Sequence, residues 1–458
     1  MRAWKIIKRL VLVIVLVALA YGIHYAWVSF PIISGYGAKN LCSCRFAAGR
    51  TEKSVREDEL ADAPLNLGSF TVDEKDSSVT GTVAGLAKRK AVYRAGLGCT
   101  LVNDVSEQQL RAQHFTTATP PPVNQDSIPW PMGDRLKDSL PPGIDTVLLK
   151  QAIQGAFKET DPKKKIATRA VVVLYDGRLV AEQYAPGFDR HSPMLGWSMS
   201  KSITGTLAAI LVKQGKLKVE APAPVPEWSD PADPRHAITL QNLLQQTSGL
   251  DFEENYAKAS TATNMLFKKG DMGAYVAGLP LKYKPGSLFY YSSGNSNVLS
   301  RIIRQTVGEQ DYHRFPATAL FYKIGMYSAL PEPDASGTFV GSSYTYATAR
   351  DWARFGLLYY NDGVWNGERI LPEGWVKQAS TPVVTPAGPQ EYGYQLWLDK
   401  LNADKPLQAG VPADVFYADG YGGQEVYIIP SKKLVVVRLG LHVCDMESLL
   451  HGVMNAIR

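Results

Sequence analysis

Gly196-Trp197-Ser198-Met199-Ser200-Lys201 is the stretch of this 458-residue sequence on which the fold and the chemistry both depend. It opens a segment in which apolar residues recur with the spacing of one helical face, and Gly215 then supplies a stop. The pattern predicts a helix over Ser198–Lys213. Because side chains three residues apart share one face of a helix, Ser198 and Lys201 are expected to lie within hydrogen-bonding reach.

A serine hydroxyl is a weak nucleophile until a neighbouring group takes its proton. If Lys201 is buried, desolvation disfavours its ammonium form and leaves an amine that can accept that proton. The dipole at the start of a helix also favours the negative charge that develops during attack. The pair therefore predicts Ser198 as a nucleophile and Lys201 as its base.

Two further stretches carry candidate catalytic groups. Tyr291 lies in Pro285–Asn295, on a turn before a predicted helix, where it could pass protons between the pair and a leaving group. The alternative is an ordinary aromatic residue. Asp419–Gln424 is rich in glycine and precedes a predicted strand, so its backbone could approach a substrate and present an N–H to an oxyanion. The alternative is a simple hairpin turn.

Strands enclose this helical middle. Ala167–Tyr175 and Arg178–Tyr184 form a predicted hairpin across Asp-Gly, and Glu425–Pro430 and Leu434–Leu441 are two predicted late strands. Two strands early and two late predict an antiparallel sheet that is closed by both ends of one domain. Further helices are predicted at Ile238–Gln246, at Asn297–Val307 and near Glu447–Ile457.

The N-terminal part is organised differently. Residues 31–117 are predicted to form a small β-rich region. Its strands are expected at Gly68–Val72, Val79–Val83 and Lys90–Arg94. Prolines from Pro120 to Pro142 predict an irregular linker over 118–144, before a large domain at 145–458.

The first thirty residues predict contact with a membrane. Basic residues precede the apolar stretch Leu10–Phe30, which is long enough to cross a bilayer with the basic end in the cytoplasm. Two interpretations remain open. We favour an uncleaved anchor, because apolar residues continue beyond Ala20; the alternative is a signal peptide cut after Ala18-Leu19-Ala20. The anchor predicts a single-pass inner-membrane protein with its catalytic domain on the periplasmic or extracytoplasmic side.

Four cysteines, Cys42, Cys44, Cys99 and Cys444, agree with export without requiring it. We expect one disulfide, from the Cys42/Cys44 pair to Cys99, and free thiols are the alternative. The net charge of +6 is small for this length, and the one notable basic run, Lys163–Lys165, is expected to be a solvated loop. No nucleic-acid partner is therefore expected. The histidines lack metal-ligand spacing, so no metal is expected either.

In their order and spacing, the three candidate elements resemble the serine β-lactamase and penicillin-binding superfamily. The likeness is to its class C β-lactamase-like branch, with the esterases and 6-aminohexanoate-dimer hydrolases, and it covers about residues 145–458. Supporting stretches are Leu243–Leu250, Thr348–Gly356, Asn366-Gly367 and Leu371–Trp375. The resemblance implies an α/β (α+β) fold with an antiparallel sheet flanked by helices and an all-helical subdomain.

The resemblance also implies roles for single residues. Ser198 matches the serine that becomes acylated, and Lys201 matches the lysine that deprotonates it. Tyr291 matches the tyrosine of the Tyr-x-Asn motif, but the third position here is Ser293. That Tyr-x-Ser form is similar to the nylon-oligomer hydrolases and esterases rather than to true β-lactamases.

Gly420-Tyr421-Gly422 stands where penicillin-recognising relatives carry Lys-Thr-Gly. The missing lysine removes the cation that would pair with the carboxylate of a β-lactam or peptide. The resemblance implies an oxyanion hole made by the N–H of Ser198 and one near Gly423 or Gln424. It also implies a substrate-side role for Tyr256.

The expected function is hydrolysis of a small-molecule ester or unstrained amide through an acyl-enzyme, without a metal or organic cofactor. Two alternatives stay open: a D,D-peptidase or weak β-lactamase acting on cell-wall peptides, and a non-catalytic envelope protein that keeps the fold. The sequence indicates neither the substrate nor the oligomeric state.

Overall fold

The computed structural model describes residues 2–161, 165–399 and 410–457. These residues form two compact units. The N-terminal unit comprises the described residues of Met1–Arg94, Cys99–Arg111 and Glu253–Gly270, and the C-terminal unit comprises the described remainder. The segment Glu253–Gly270 thus belongs to the N-terminal unit, although the sequence runs through it within the predicted hydrolase domain. Two of the three lysines of Lys163–Lys165 lie outside the described residues.

Helices and strands alternate along the chain. The helices are α1 (Arg2–Cys42), α2 (Glu52–Asp58), α3 (Glu107–Arg111), α4 (Thr146–Ala156), α5 (Met199–Lys213), α6 (Leu240–Leu244), α7 (Thr261–Lys268), α8 (Met272–Ala277), α9 (Ser293–Val307), α10 (Glu309–Tyr312), α11 (Ala349–Tyr360), α12 (Trp375–Ala379) and α13 (Met446–Asn455). The strands are β1 (Gly68–Asp73), β2 (Ser78–Val83), β3 (Leu86–Arg94), β4 (Gly98–Leu101), β5 (Thr168–Tyr175), β6 (Arg178–Tyr184), β7 (Met194–Leu195), β8 (Leu330–Pro331), β9 (Thr345–Ala347), β10 (Val364–Trp365), β11 (Glu368–Arg369), β12 (Val383–Thr385), β13 (Gly388–Gln390), β14 (Trp397–Leu398), β15 (Phe416–Gly420), β16 (Gln424–Ile429) and β17 (Leu434–Gly440).

In the N-terminal unit, α1 joins two environments in one helix. Its described side chains from Trp4 to Tyr25 are exposed, whereas most of those from Ile33 to Cys42 are buried against the sheet β1-β2-β3-β4. By length and composition this helix could cross a membrane or serve as a signal sequence. A disulfide joins Cys42 to Cys99, which is one of the two pairings that the sequence favoured. The boundary that the sequence placed at residue 30 falls inside α1.

The C-terminal unit is built on a six-stranded antiparallel sheet, ordered β14-β15-β16-β17-β5-β6. The late strand β17 pairs with the early strand β5, in register from Leu434 opposite Tyr175. The predicted sheet, closed by both ends of the domain, is confirmed. One face packs against α4 and α13 in a shared apolar core. On the other face, Gly356 of α11 comes so close to β16 and β17 that a Cβ there would lie 2.6 Å from Val435.

Some predicted elements differ from the observed ones in length. The helix expected at Ile238–Gln246 covers only Leu240–Leu244, because Thr239 caps its start and Gln246 adopts a left-handed backbone (φ 60°) at its end. The helix expected from Asn297 begins at Ser293. The polar strand β4 was not predicted.

The proline-rich segment expected as a linker is tied to the C-terminal unit. Arg354 donates hydrogen bonds to the carbonyls of Pro131 and Gly133, at 2.7 Å each. Arg350 and Arg354 both contact Asp134, at 3.3 and 2.8 Å. These bonds, made by guanidinium groups that are almost fully buried, fix a backbone whose only regular element is the short 3-10 helix Gln125–Ser127.

Candidate active site

Ser198 lies at the N-terminal cap of α5, directly after a strained residue. Trp197 adopts a left-handed backbone (φ 46°), which costs a non-glycine residue about 1–3 kcal/mol. The turn brings Ser198 to a half-buried position at the start of a helix that is almost entirely buried. Within the described part of the chain, no acceptor takes the backbone N–H of Ser198. That N–H is therefore available to a ligand, and the helix dipole favours a negative one.

Lys201 faces Ser198 from the next helical turn. Its Nζ lies 2.8 Å from Ser198 Oγ and 3.1 Å from the carbonyl oxygen of Ser342. The side chain is only 1% exposed, so its charge is poorly hydrated. Its Nζ also lies 4.7 Å from the centre of the Tyr291 ring. The structure thus brings together the three side chains to which the sequence assigned proton transfer.

Two aromatic side chains pack against the ring of Tyr291. Its ring stacks on Trp397, with centroids 5.2 Å apart, and meets the edge of Tyr392 at 5.9 Å. The following residue, Ser292, caps α9, and Ser293 is completely buried in the first turn of that helix. Ser293 thus lies in the packed first turn of the helix that follows Tyr291, and its role in substrate binding stays a prediction.

The stretch Leu243–Leu250, which resembled the family segment, supports the Tyr291 turn. Gln246 Oε1 accepts hydrogen bonds from Asn295 Nδ2 (2.8 Å) and from the N–H of Ser292 (3.2 Å). Ser248 Oγ donates to Asn295 Oδ1 at 2.7 Å. These hydrogen bonds between buried groups fix the position of the turn before α9.

The glycine-rich turn between β15 and β16 approaches Ser198 closely. A Cβ on Gly420 would lie only 2.2 Å from the carbonyl oxygen of Gly196, so only glycine fits there. Gly422 and Gly423 both adopt positive φ, at 78° and 76°. The N–H of Gly423 donates to Gly420 within the turn at 3.1 Å.

The side chains of this turn face in different directions. Gln424 is buried and bonds both backbone groups of Gly440, so its side chain braces β17. Tyr421 is 66% exposed, and its ring meets that of Trp197 edge-on at 5.9 Å. Arg438 donates to the carbonyls of Gly422 and Gly423 and so holds the turn from β17.

A pair of acidic side chains lies beneath the turn. Asp419 and Glu425 are directly opposite each other on β15 and β16. Burial raises the pKa of Asp419 to about 6, although the positive charge of Lys201 opposes this shift. Burial, and then the charge of Asp419, raises the pKa of Glu425 to about 8, against the opposing effect of Arg438. At neutral pH Asp419 therefore carries the negative charge and Glu425 holds a proton.

Tyr256 is not grouped with these residues. It belongs to the N-terminal unit, where its hydroxyl donates to Glu254 at 2.7 Å and its side chain is half exposed. Its substrate-side role stays a prediction that rests on resemblance alone. Among the described residues, no group of three or more His, Cys, Asp or Glu side chains is placed to hold a metal ion.

Sequence reasoning missed several residues of this site. Arg438, Glu425 and Trp397 lie on strands or at their ends, where nothing distinguishes them from ordinary strand residues. Asp419 had a signal, because a carboxylate directly before a glycine-rich turn is unusual in a strand. Ser342 contributes only a carbonyl, which no side-chain pattern predicts.

Comparisons with known proteins show the family and the fold of this chain. The family model described as Beta-lactamase matches residues 150–440. A 6-aminohexanoate-dimer hydrolase of Paenarthrobacter ureafaciens is 27% identical over 302 residues, which cover 60% of this chain and 73% of that protein.

Solved structures show the same fold. A Bacillus anthracis protein assigned as a 6-aminohexanoate-dimer hydrolase aligns with a TM-score of 0.54 at 23% identity, over 75% of this chain and 86% of its own. A family VIII carboxylesterase aligns with a TM-score of 0.54 at 14% identity, over 71% of this chain and all of its own. The chain therefore belongs to the β-lactamase family and is a serine hydrolase with the fold of that family.

Proposed function

We propose that this chain hydrolyses an ester or an unstrained amide through an acyl-enzyme on Ser198. The observation that carries the proposal is the 2.8 Å contact between Ser198 Oγ and the buried Nζ of Lys201 at the start of α5. In the proposed reaction Oγ attacks the carbonyl carbon while its proton passes to Lys201. The bond to the leaving group then breaks, and the leaving group takes a proton by way of Tyr291. Water adds to the acyl group and releases Ser198.

The oxyanion is proposed to be held by two backbone N–H groups. The N–H of Ser198 has no described acceptor, and it points from the positive end of α5. Because the N–H of Gly423 is engaged inside the turn, the N–H of Gln424 is the better second candidate. The close approach of Gly420 to Gly196 supports this arrangement, since it brings the turn to the backbone just before Ser198.

The proposed substrate class rests on the charge of the glycine-rich turn and on the aromatic side chains beside Ser198. Gly420-Tyr421-Gly422 offers no cation, and the residue before it, Asp419, is negatively charged at neutral pH. A substrate with a carboxylate beside the reacting bond, such as a β-lactam or a cell-wall peptide, would be repelled. The aromatic rings of Trp197 and Tyr421 instead suit an apolar group. The relatives named as carboxylesterase and 6-aminohexanoate-dimer hydrolase support the same classes for this chain.

A fluorophosphonate probe and a panel of nitrophenyl esters, linear amides and nitrocefin would test the proposal. Wild type should be labelled and should cleave the esters or amides, and Ser198→Ala should do neither. Ser43→Ala is the matched control, since Ser43 also lies 2.9 Å from a buried lysine, Lys39, but is completely buried. If a fluorescent penicillin labelled Ser198 strongly, the D,D-peptidase or β-lactamase alternative would replace the proposal. If no probe reacted, a non-catalytic role would replace it.

We further propose that α1 remains attached as a single-pass inner-membrane anchor, with the rest of the chain on the periplasmic or extracytoplasmic side. In support, α1 continues without a break from its exposed apolar part into the buried residues Ile33–Cys42. A chain expressed with different tags at its two ends should keep both and resist extraction by alkaline carbonate. Loss of the N-terminal tag from a soluble product would instead indicate cleavage after Ala20.

A further inference from the structure

Charged side chains are distributed unevenly along the N-terminal unit when their positions are followed in the direction of α1. The apolar stretch Leu10–Phe30 is about 31 Å long as a helix, which matches the hydrocarbon core of a bilayer. With α1 as an anchor, the polypeptide would leave the membrane near Val28–Phe30. The end of the N-terminal unit that lies beside those residues is therefore the end nearest the lipid headgroups.

Basic residues gather at that end. Lys268 Nζ donates to the carbonyl of Val28 at 2.8 Å. Burial, and then the positive charges of Arg89 and Lys269, lower the pKa of Lys268, which places these three cations close together. An acidic side chain also lies at this end, since the Asp104 carboxylate accepts a hydrogen bond from the N–H of Gly270 at 2.7 Å.

The turn between β2 and β3 lies at the same end. Ser34, one turn beyond Phe30 on α1, donates its hydroxyl to the carbonyl of Ala87 at 2.6 Å. The turn presents Leu86, which is 61% exposed, and Lys88 follows on β3. An exposed leucine beside lysines and arginines is the composition of segments that lie in a membrane interface.

The opposite end of the unit has a different character. Arg45, just beyond the end of α1, pairs with Glu74 at 2.8 Å. In the same β1–β2 turn, Asp76 contacts Lys90 and Arg111. The cations at this end are thus neutralised by carboxylates within the unit.

We propose that the basal face of the N-terminal unit, formed by Leu86, Lys88, Arg89, Lys268 and Lys269, rests on the membrane and binds anionic phospholipid headgroups. The proposal rests on the anchor proposed above. Basic side chains near an anionic surface strengthen association by about fivefold each, and the effect falls off within a Debye length. Leu86 adds apolar contact that a dissolved phosphate or polyanion would not use.

The test uses the full chain in lipid nanodiscs, with Cys444→Ser and an environment-sensitive fluorophore on Leu86→Cys. With phosphatidylglycerol in the disc, the emission should shift to the blue and be quenched by a nitroxide lipid, and salt should reverse both effects. With phosphatidylcholine alone, both should be weaker. Lys88→Gln with Arg89→Gln should lower the docking equilibrium about 25-fold, since two cations are lost.

The matched control is Lys53→Gln with Lys75→Gln, which removes the same charge from exposed positions away from the basal face and should leave the emission unchanged. Equal emission in the two discs, or an equal loss in the control, would overturn the proposal. So would an equal response to dissolved heparin in phosphatidylcholine discs, which would indicate a polyanion site. Loss of the N-terminal tag would contradict the proposal that α1 is an uncleaved anchor. An intact tag without any response to anionic lipid would contradict only the proposed lipid binding by the basal face.

Discussion

Each unit of this protein contains a buried lysine bonded to a serine, and the two pairs differ in ways that matter for chemistry. In the N-terminal unit, Lys39 Nζ lies 2.9 Å from Ser43 Oγ. In the C-terminal unit, Lys201 Nζ lies 2.8 Å from Ser198 Oγ. Both lysines are at most 3% exposed. A short contact between a serine and a desolvated lysine is therefore not enough to identify a nucleophile.

The two pairs differ in the position of the serine on its helix and in the exposure of the serine to solvent. Ser43 follows the C-terminal end of α1 and is completely buried, so a negative charge there would face the negative end of a dipole without a substrate. Ser198 precedes α5, is half-buried, and lies beside a glycine turn and an exposed tyrosine. The comparison supports Ser198 and Lys201 as the proposed reactive pair, because Ser198 lies at a helix start and its N–H has no acceptor among the described residues.

Replacement of each lysine tests this comparison most strongly. Lys201→Met keeps the apolar stem but removes the base, so kcat/KM on an ester should fall by about 10³-fold or more. Lys39→Met should leave kcat/KM unchanged and lower only the thermal stability of the N-terminal unit. Stopped assays with both variants, at matched folded protein, check the prediction. Equal losses of activity would mean that the pairs are not chemically distinct.

The disulfide next to Ser43 tests whether the N-terminal unit is structural. Cys42 and Cys99 are 57 positions apart, and loss of the bridge frees a loop of that size in the unfolded chain. Cys42→Ser with Cys99→Ser should therefore lower the free energy of unfolding of the N-terminal unit by about 4 kcal/mol. Limited proteolysis at increasing urea concentration measures the change. Cys444→Ser is the control, and ester hydrolysis should continue in both variants.

Tyr291 tests how far the reactive pair depends on a third group. Tyr291→Phe keeps the ring that stacks on Trp397 but removes the hydroxyl, so kcat should fall by about 10²-fold with little change in stability. Tyr290→Phe is a matched control, because its side chain is adjacent and 43% exposed. A similar loss in the control would show that the turn, rather than the Tyr291 hydroxyl, carries the effect.

The sequence predicted the reactive pair because helix geometry links residues three apart without any tertiary information. It also predicted the sheet, since strands such as Ala167–Tyr175 are long, apolar and bounded by turn residues. A disulfide from Cys42 or Cys44 to Cys99 was expected, but the spacing could not choose between the two cysteines. Features that depend on local periodicity could therefore be predicted from the sequence.

Other features depend on tertiary contacts and could not be predicted. No local pattern separates Glu253–Gly270 from the hydrolase domain, because its assignment depends on contacts that α7 makes with α1. Tyr256 lies in this segment, and its substrate-side role stays a prediction. The carboxylate pair of Asp419 and Glu425 became visible only when the register placed the two residues opposite each other.

Replacement of Asp419 is expected to have the smallest effect on activity. This carboxylate interacts with Lys201 and so provides a further difference between Lys201 and Lys39. The positive charge of Lys201 lowers the pKa of Asp419, so by linkage the Asp419 carboxylate must raise the affinity of Lys201 for a proton. Other titratable groups near Asp419 are Glu425 on β16, which Arg438 on β17 affects in turn, and Tyr417 on β15. Since Glu425 holds a proton at neutral pH, Asp419 supplies the negative charge.

Asp419→Asn should shift the rising limb of the pH–rate profile to lower pH, because it removes the carboxylate charge that interacts with the Lys201 ammonium. The plateau should fall about threefold, because the base is weaker. Stability gives a second measure. The raised pKa of Asp419 means that the native chain binds the extra proton, so wild-type stability should fall as the pH rises from about 4 to about 6. Melts of Asp419→Asn should show a smaller decline, because the raised pKa of Glu425 still contributes in that variant. A uniform loss of activity at every pH would instead assign Asp419 a purely structural role.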